Sequence, residues 1–176
     1  MGRNSVKEDK NIYQLKREEA GFTREKAGEA TGISADKIEK IENRGTVPYP
    51  DEVLAMANGY NEPSLCNHYC SKDCPIGRQY VPEITVTDLR QIVLETVVSL
   101  NNLQGRQQRL MEIAVNNTVS DDEIEDFVKI RAELERVSVL IETLQLWSEE
   151  MLADGKINRE KYEEICSKLN EAGSLR

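Results

Sequence analysis

Three cysteines and the chain's one histidine fall within nine residues, Cys66-Asn-His68-Tyr-Cys70-Ser-Lys-Asp-Cys74, followed by Pro75. Thiolate and imidazole are the ligands of structural zinc, and three thiolates hold part of an iron–sulfur cluster. A metal site would take Cys66, His68, Cys70 and Cys74, with the distant Cys166 as another candidate ligand. Geometry sets a condition. In a straight helix Cys66 and Cys74 stand about 12 Å apart along the axis, whereas two thiolates on one zinc are at most about 4.6 Å apart. Ligation therefore needs a turn, which Ser71-Lys72-Asp73 can make before Pro75 ends the segment. Two other readings stay open. The cysteines at i, i+4 and i+8 can pack as small buried hydrophobes, or two of them can form a redox pair. Cys166, between Ile165 and Leu169, reads as core.

A second motif is the stretch Ala30-Thr-Gly-Ile-Ser34. That stretch supplies a helix end, a glycine able to take positive φ, an apolar plug and a new N-cap, which is the turn of a helix-turn-helix. The run from Thr23 to Gly45, followed by Pro48 to Gly59, resembles the Cro/repressor-type (xenobiotic-response-element) helix-turn-helix family over residues 10–62. Gly32-Ile33-Ser34, Ile38 and Ile41-Glu42-Asn43 carry the likeness. Arg24 stands where that family usually has Gln, and Ala27-Gly28 where it usually has Leu-Ala. The resemblance implies that the helix from Ser34 to Asn43 enters the DNA major groove. Ala35, Asp36 and Lys40 would then meet bases, and Ser34 and Lys37 would lie nearer phosphates. Arg24 would hold phosphate at the preceding helix N-terminus, while Asn43 and Arg44 would reach the backbone at the far end. Asp36 and Glu39 oppose phosphate approach, so a single copy should bind weakly and a dimer better.

Short helices must position these groups. Ile12, Leu15 and Ala20 give one apolar stripe ending at Gly21. Thr23 caps a helix that stops at Gly32, and Ser34 caps one closed by Asn43-Arg44-Gly45. Pro50 opens a fourth, with Val53, Leu54, Met56 and Ala57 buried and Asn58-Gly59 as its stop. The expected core is Leu15, Phe22, Ala27, Ile33, Ile38, Ile41 and Leu54. All five prolines fall between residues 48 and 82, so long helices can follow. Thr87 can cap one that reaches about Asn117, with the stripe Leu89, Val93, Thr96, Leu100, Leu103, Gln107, Leu110 and Ala114. Ser120-Asp-Asp-Glu123 is a capping box. The next helix carries Phe127, Ile130, Leu134, Val137, Ile141, Leu144, Ser148 and Met151, and Gly155 turns into a third helix over Asn158–Leu169. The spacing predicts an antiparallel hairpin of helices about 45 Å long. Val139, Leu140, Leu146 and Trp147 lie off the stripe, and this surplus asks for a second contact, with the third helix, the connector or another chain. Self-association through Leu134, Val137, Leu140, Ile141, Leu144 and Trp147 is the economical choice.

Three segments follow: a helix-turn-helix domain over 1–62, a Cys/Pro-rich connector over 63–84, and a dimerising helical hairpin over 85–176, all of them all-α. The chain has 176 residues and net charge −9, with 39% hydrophobic and 5% aromatic residues. Residues 1–62 hold 10 Lys and Arg against 12 Asp and Glu, residues 63–84 two of each, and residues 85–176 hold 11 against 18. Coating of nucleic acid by a basic surface is excluded, but a small reading module is not. No apolar run is long enough for a membrane span. The polar stretch Met1–Lys10 lacks a signal region, and the clustered cysteines suit the reducing cytoplasm. One histidine, no glycine-rich phosphate loop and no nucleophile motif argue against an enzyme. The expectation is a cytoplasmic regulator that binds double-stranded DNA as a homodimer and represses. A metal- or redox-responsive regulator is the first rival. A module that grips another protein through its acidic helices is the second.

Overall fold

The computed structural model describes residues 10–115 and 117–171, and every regular element among them is helical. Of the polar stretch Met1–Lys10, all but Lys10 lies outside the described residues. The contacts divide the chain into two compact units: residues up to Glu83 together with those from Ser148 onward, and residues Ile84–Trp147.

In the first unit, α1 (Ile12–Glu19), α2 (Arg24–Thr31), α3 (Ala35–Glu42) and α4 (Pro50–Tyr60) are each two to three turns long. Helices this short are marginal alone, so capping and a shared core hold them. Asn11, Thr23 and Ser34 cap α1, α2 and α3 by accepting from the backbone N–H three residues on. Pro50 stands at the first position of α4, and Glu52 accepts from the Tyr49 N–H at 2.8 Å. Gly32 takes φ 73° between α2 and α3. α3 closes at Asn43-Arg44-Gly45 as expected, with Arg44 at positive φ (57°). One expected stop differs: α4 runs past Asn58-Gly59 to Tyr60, and Asn61 caps it with φ 59°. Gly59 is spent on packing instead: a Cβ there would stand 2.8 Å from the Thr31 methyl carbon.

Tyr13, Ala27, Ile33, Ile38, Ile41, Val53, Met56, Ala57, Tyr60 and Leu65 form the core of this unit. Leu15 and Phe22 are half-buried and Leu54 is exposed. The core extends into the cysteine-rich segment, where α5 (Ser64–His68) passes directly into a π-helical turn (Tyr69–Asp73) and then α6 (Gly77–Tyr80). Leu65 is fully buried, Cys66 and Tyr69 pack against the core, and Tyr13 donates a 2.7 Å hydrogen bond to Asp73. The last turn of α8 (Ile124–Ala153) belongs to this unit as well, with Asn61 Nδ2 donating to the Ala153 carbonyl at 2.7 Å. After it comes α9 (Arg159–Glu171).

The second unit is the expected pair of long helices, α7 (Leu89–Ala114) and the greater part of α8. Asp88 rather than Thr87 caps α7, accepting from Arg90 and Gln91. Glu123 accepts from the Ser120 amide at the turn, one half of the expected capping box; the Ser120 hydroxyl donates to the Glu123 carboxylate, and the Glu123 amide bonds to the Ser120 carbonyl instead. Arg109 donates to Asp126 at 2.8 Å and Asn102 to Glu133 at 3.4 Å, so the helices run antiparallel in one register. The inward row differs from the expected one. Ile92, Ser99 and Ile113 of α7 are buried, whereas Leu89, Val93, Leu100, Gln107 and Ala114 are exposed. On α8 the buried residues are Ile130, Leu140, Thr143 and Leu146, while Phe127, Leu134, Ile141 and Leu144 are exposed. Among the described residues no helix is long and apolar enough to cross a membrane.

Candidate nucleic-acid interface

The turn between α2 and α3 is built from small contacts. The Thr31 hydroxyl donates to the Ala27 carbonyl at 2.8 Å and accepts from the Ile33 amide at 3.2 Å. Ile33 plugs the core at 8% exposure. Gly28 lets the turn close, since a Cβ there would come within 2.8 Å of the Ile33 carbonyl oxygen. The Ser34 hydroxyl then caps α3 through the Lys37 amide at 3.3 Å.

Burial of Ile38, Ile41 and Glu42 fixes which face of α3 looks outward. Ser34, Asp36, Glu39, Lys40 and Asn43 are exposed and Ala35 is half-exposed. Among the described residues neither Lys40 nor the exposed Arg44 has an ion-pair partner. These two cations, with Ala35, Asp36 and Asn43, present the free hydrogen-bonding and apolar groups expected of a groove-reading helix.

Two expected phosphate contacts are engaged within the unit. Arg24 spans two carboxylates, donating from one guanidinium nitrogen to Glu39 at 2.7 Å and from Nε to Glu42 at 2.9 Å. Lys37 lies 3.5 Å from Glu52 and over the ring of Tyr49, 4.8 Å from its centroid. Both keep their charge near α3, but each is already balanced.

Glu42 is the hub that the sequence reading leaves out. Its side chain is 1% exposed and binds Arg24 and the buried Arg17 together. Arg17 reaches Glu42 through Nε and, at 3.1 Å, through a second nitrogen, and also donates to the Phe22 carbonyl. The bond to Glu42 raises the Arg17 pKa further above its usual value. One carboxylate on α3 thus ties down α1 and α2, and burial of such a pair demands that both partners be kept. Asn11 adds a further tie, its Nδ2 donating to the Ile41 carbonyl at 2.7 Å. The available signal is Arg17 at the i+4 position from Tyr13, on the inward side of α1. Burial of the neighbouring Tyr60 pushes its hydroxyl up to about 12, assisted by the Glu42 charge.

The expected metal set does not assemble. Among the described residues no three His, Cys, Asp or Glu side chains converge on a point that a metal ion could occupy. The π turn is the reason. The Cys74 amide bonds to the Tyr69 carbonyl at 2.9 Å, five residues back, so the chain widens where a ligand loop would have to tighten. Cys74 is extended and its Sγ accepts from the Gly77 amide at 3.4 Å. His68 stands edge-on to Tyr13 with ring centroids 6.0 Å apart, on the wall of a cleft of about 420 Å³ that Arg44 and Asp73 also line. Cys66 is half-buried, and burial together with the nearby Cys70 raises its pKa. As placed, Cys66, His68, Cys70 and Cys74 fit neither zinc nor a cluster.

Of the residues expected at a dimer contact, Leu140 is buried in the single chain and Val137 and Trp147 are half-buried. Leu134, Ile141 and Leu144 are exposed. No curated protein and no solved structure matches the chain. A protein-family model does: residues 15–64, from within α1 to the first residue of α5, match the family described as a helix-turn-helix domain.

Proposed function

We propose that the protein is a non-enzymatic transcriptional regulator that binds double-stranded DNA in a sequence-specific way, working in the cytoplasm as a homodimeric repressor. The observation that carries this reading is the outward face of α3. It lies within a domain matched as a helix-turn-helix and is held rigid from behind by Glu42. It presents Ala35, Asp36, Lys40 and Asn43, with Arg44 just beyond. In a domain of the Cro/repressor type that the sequence resembles, this helix would lie in the major groove, with base contacts from its first turns. Repression by occupying a promoter needs no further surface.

The test is selection of bound sequences from random double-stranded oligonucleotides at low salt, followed by Lys40→Glu and Arg44→Glu. Each substitution is expected to weaken binding of the selected site by roughly tenfold or more and to flatten its salt dependence. Lys40→Glu should also relax preference at one base position, whereas Arg44→Glu should weaken all sequences alike. Affinity and salt slope unchanged in both variants would overturn the reading.

A further inference from the structure

The hairpin leaves one long apolar side uncovered. Leu89, Val93, Val97 and Leu100 of α7, and Leu134 and Ile141 of α8, are between 37% and 51% exposed. Val93 and Leu100 each follow a buried residue of α7 by one position, and Leu134 and Ile141 follow inward-facing residues of α8 in the same way. One residue is a turn of about 100°. In antiparallel helices that face each other, the same forward rotation carries both rows to the same side of the pair. A shared groove agrees: Gln107 and Leu110 of α7 and Ile130 and Leu134 of α8 line it together. The side is two helices wide and 26 residues long, about 20 by 40 Å or about 800 Å², one partner's share of a standard protein interface. Its apolar residues gather in the half that holds Leu89–Leu100 and Leu134–Ile141, and Gln104 and Gln107 lie in the other half.

We propose that this side is covered by the same side of a second copy, about a two-fold axis running along the helices, so that α7 of each copy lies on α8 of the other. Two observations select this arrangement over one with the axis across the helices, which would set α7 on α7 and α8 on α8. The first is level. The Asn102–Glu133 and Arg109–Asp126 register places Val93 level with Ile141 and Leu100 level with Leu134. An axis along the helices keeps these levels together, apolar on apolar. The crossed arrangement would set the Leu89–Leu100 stretch against the stretch holding Gln104 and Gln107. The second is charge. α7 carries three arginines against two glutamates, while residues 124–147 of α8 carry five acids against three bases. Pairing unlike helices sets a helix of net positive charge beside one of net negative charge, and pairing like helices sets net charge of one sign together. Both copies of α7 then begin at the same end of a four-helix bundle.

This interface deepens the dimeric reading above, but it is tested without DNA, so its failure leaves the groove assignment untouched. Sedimentation equilibrium of the full chain at tens of micromolar is expected to show a dimer. Val93→Glu and Ile141→Lys should each weaken the dimer roughly a hundredfold, with helical circular dichroism unchanged. An equimolar mixture of the two variants should recover a dimer, and native mass spectrometry should find one of each chain in it. The carboxylate introduced at position 93 of one chain then meets the ammonium introduced at position 141 of the other. A monomeric wild-type chain, a dimer persisting in both variants, or no recovery on mixing would overturn the proposal. Loss of helix in either variant would also count against it, since the face would then belong to the single chain's own fold.

Discussion

At the scale of single residues, the outward face of α3 is governed by carboxylates as much as by cations. Glu42 and Glu39 differ in kind although they sit three residues apart on α3. Glu42 is buried and holds two arginines, and its removal would strand Arg17 inside the unit. Glu39 is exposed on the outward face of α3 and holds one arm of Arg24. If that face meets DNA as proposed, Glu39→Gln removes a negative charge from beside the duplex and releases that arm, while the Arg24 bond to Glu42 persists. The expected result is DNA binding tighter by about 1 kcal/mol, roughly fivefold, with a steeper salt dependence. Fluorescence anisotropy titration of the selected site over a range of salt concentrations measures both. Unchanged affinity would mean that Glu39 points away from the phosphates in the complex.

At the scale of elements, some features are legible in the chain and others are not, and the difference has a physical cause. Caps and turns are legible at Thr23, Gly32, Ser34 and Pro50 because each is decided by neighbours in sequence. Leu54 and the row through Val93, Leu100 and Ile141 read as buried in the sequence and are exposed in the structure. Each long helix bears two rows offset by one position, and the more evenly apolar of the two is the one that stays outside. The true row includes Ser99, whose small side chain admits a close neighbour, and the polar residues Arg106, Asp126 and Glu133, which a search for apolar spacing passes over. The π turn at Tyr69–Asp73 is equally hidden, since nothing local demands a hydrogen bond five residues back. Its packing partner is clear in the structure. Gly77 is buried on the backbone of Cys70, and a Cβ there would fall 2.0 Å from the Cys70 carbonyl oxygen. Backbone cannot yield as a flexible side chain does. Gly77→Ala is therefore expected to displace α6 and lower stability by about 2 kcal/mol or more, read from the midpoint of urea denaturation. A shift within experimental error would mean that the π turn relaxes freely.

At the scale of the whole molecule, the charge balance sets how the protein would hold DNA in the proposed complex. Net charge is −9, and the acidic excess lies mainly beyond residue 84. Sequence specificity must then be reached without a large electrostatic contribution, because non-specific affinity grows with the number of phosphates neutralised. In the reading domain, Arg17 and Arg24 are held by Glu42, Lys16 by Glu62 at 2.8 Å, and Lys37 by Glu52 at 3.5 Å. Among the described residues of this domain Lys26, Lys40 and Arg44 have no ion-pair partner, and Lys26, on α2, lies over the Phe22 ring. If the duplex meets α3 as proposed, Lys40 and Arg44 are the cations beside it, so a dimer would offer about four neutralising cations and a logarithmic salt slope of about −4. A protein with roughly eight to ten such contacts would show about twice that slope. Measuring the affinity of the selected site between low and physiological salt decides between two states of the bound domain. A slope near −4 leaves the Arg24–Glu39 and Lys37–Glu52 pairs intact in the complex. A slope of about −8 requires both pairs in both copies to open and hand their cations to phosphate. The first outcome is expected, because Glu42 keeps hold of Arg24 even when Glu39 lets go, and the Tyr49 ring keeps Lys37 beside α4.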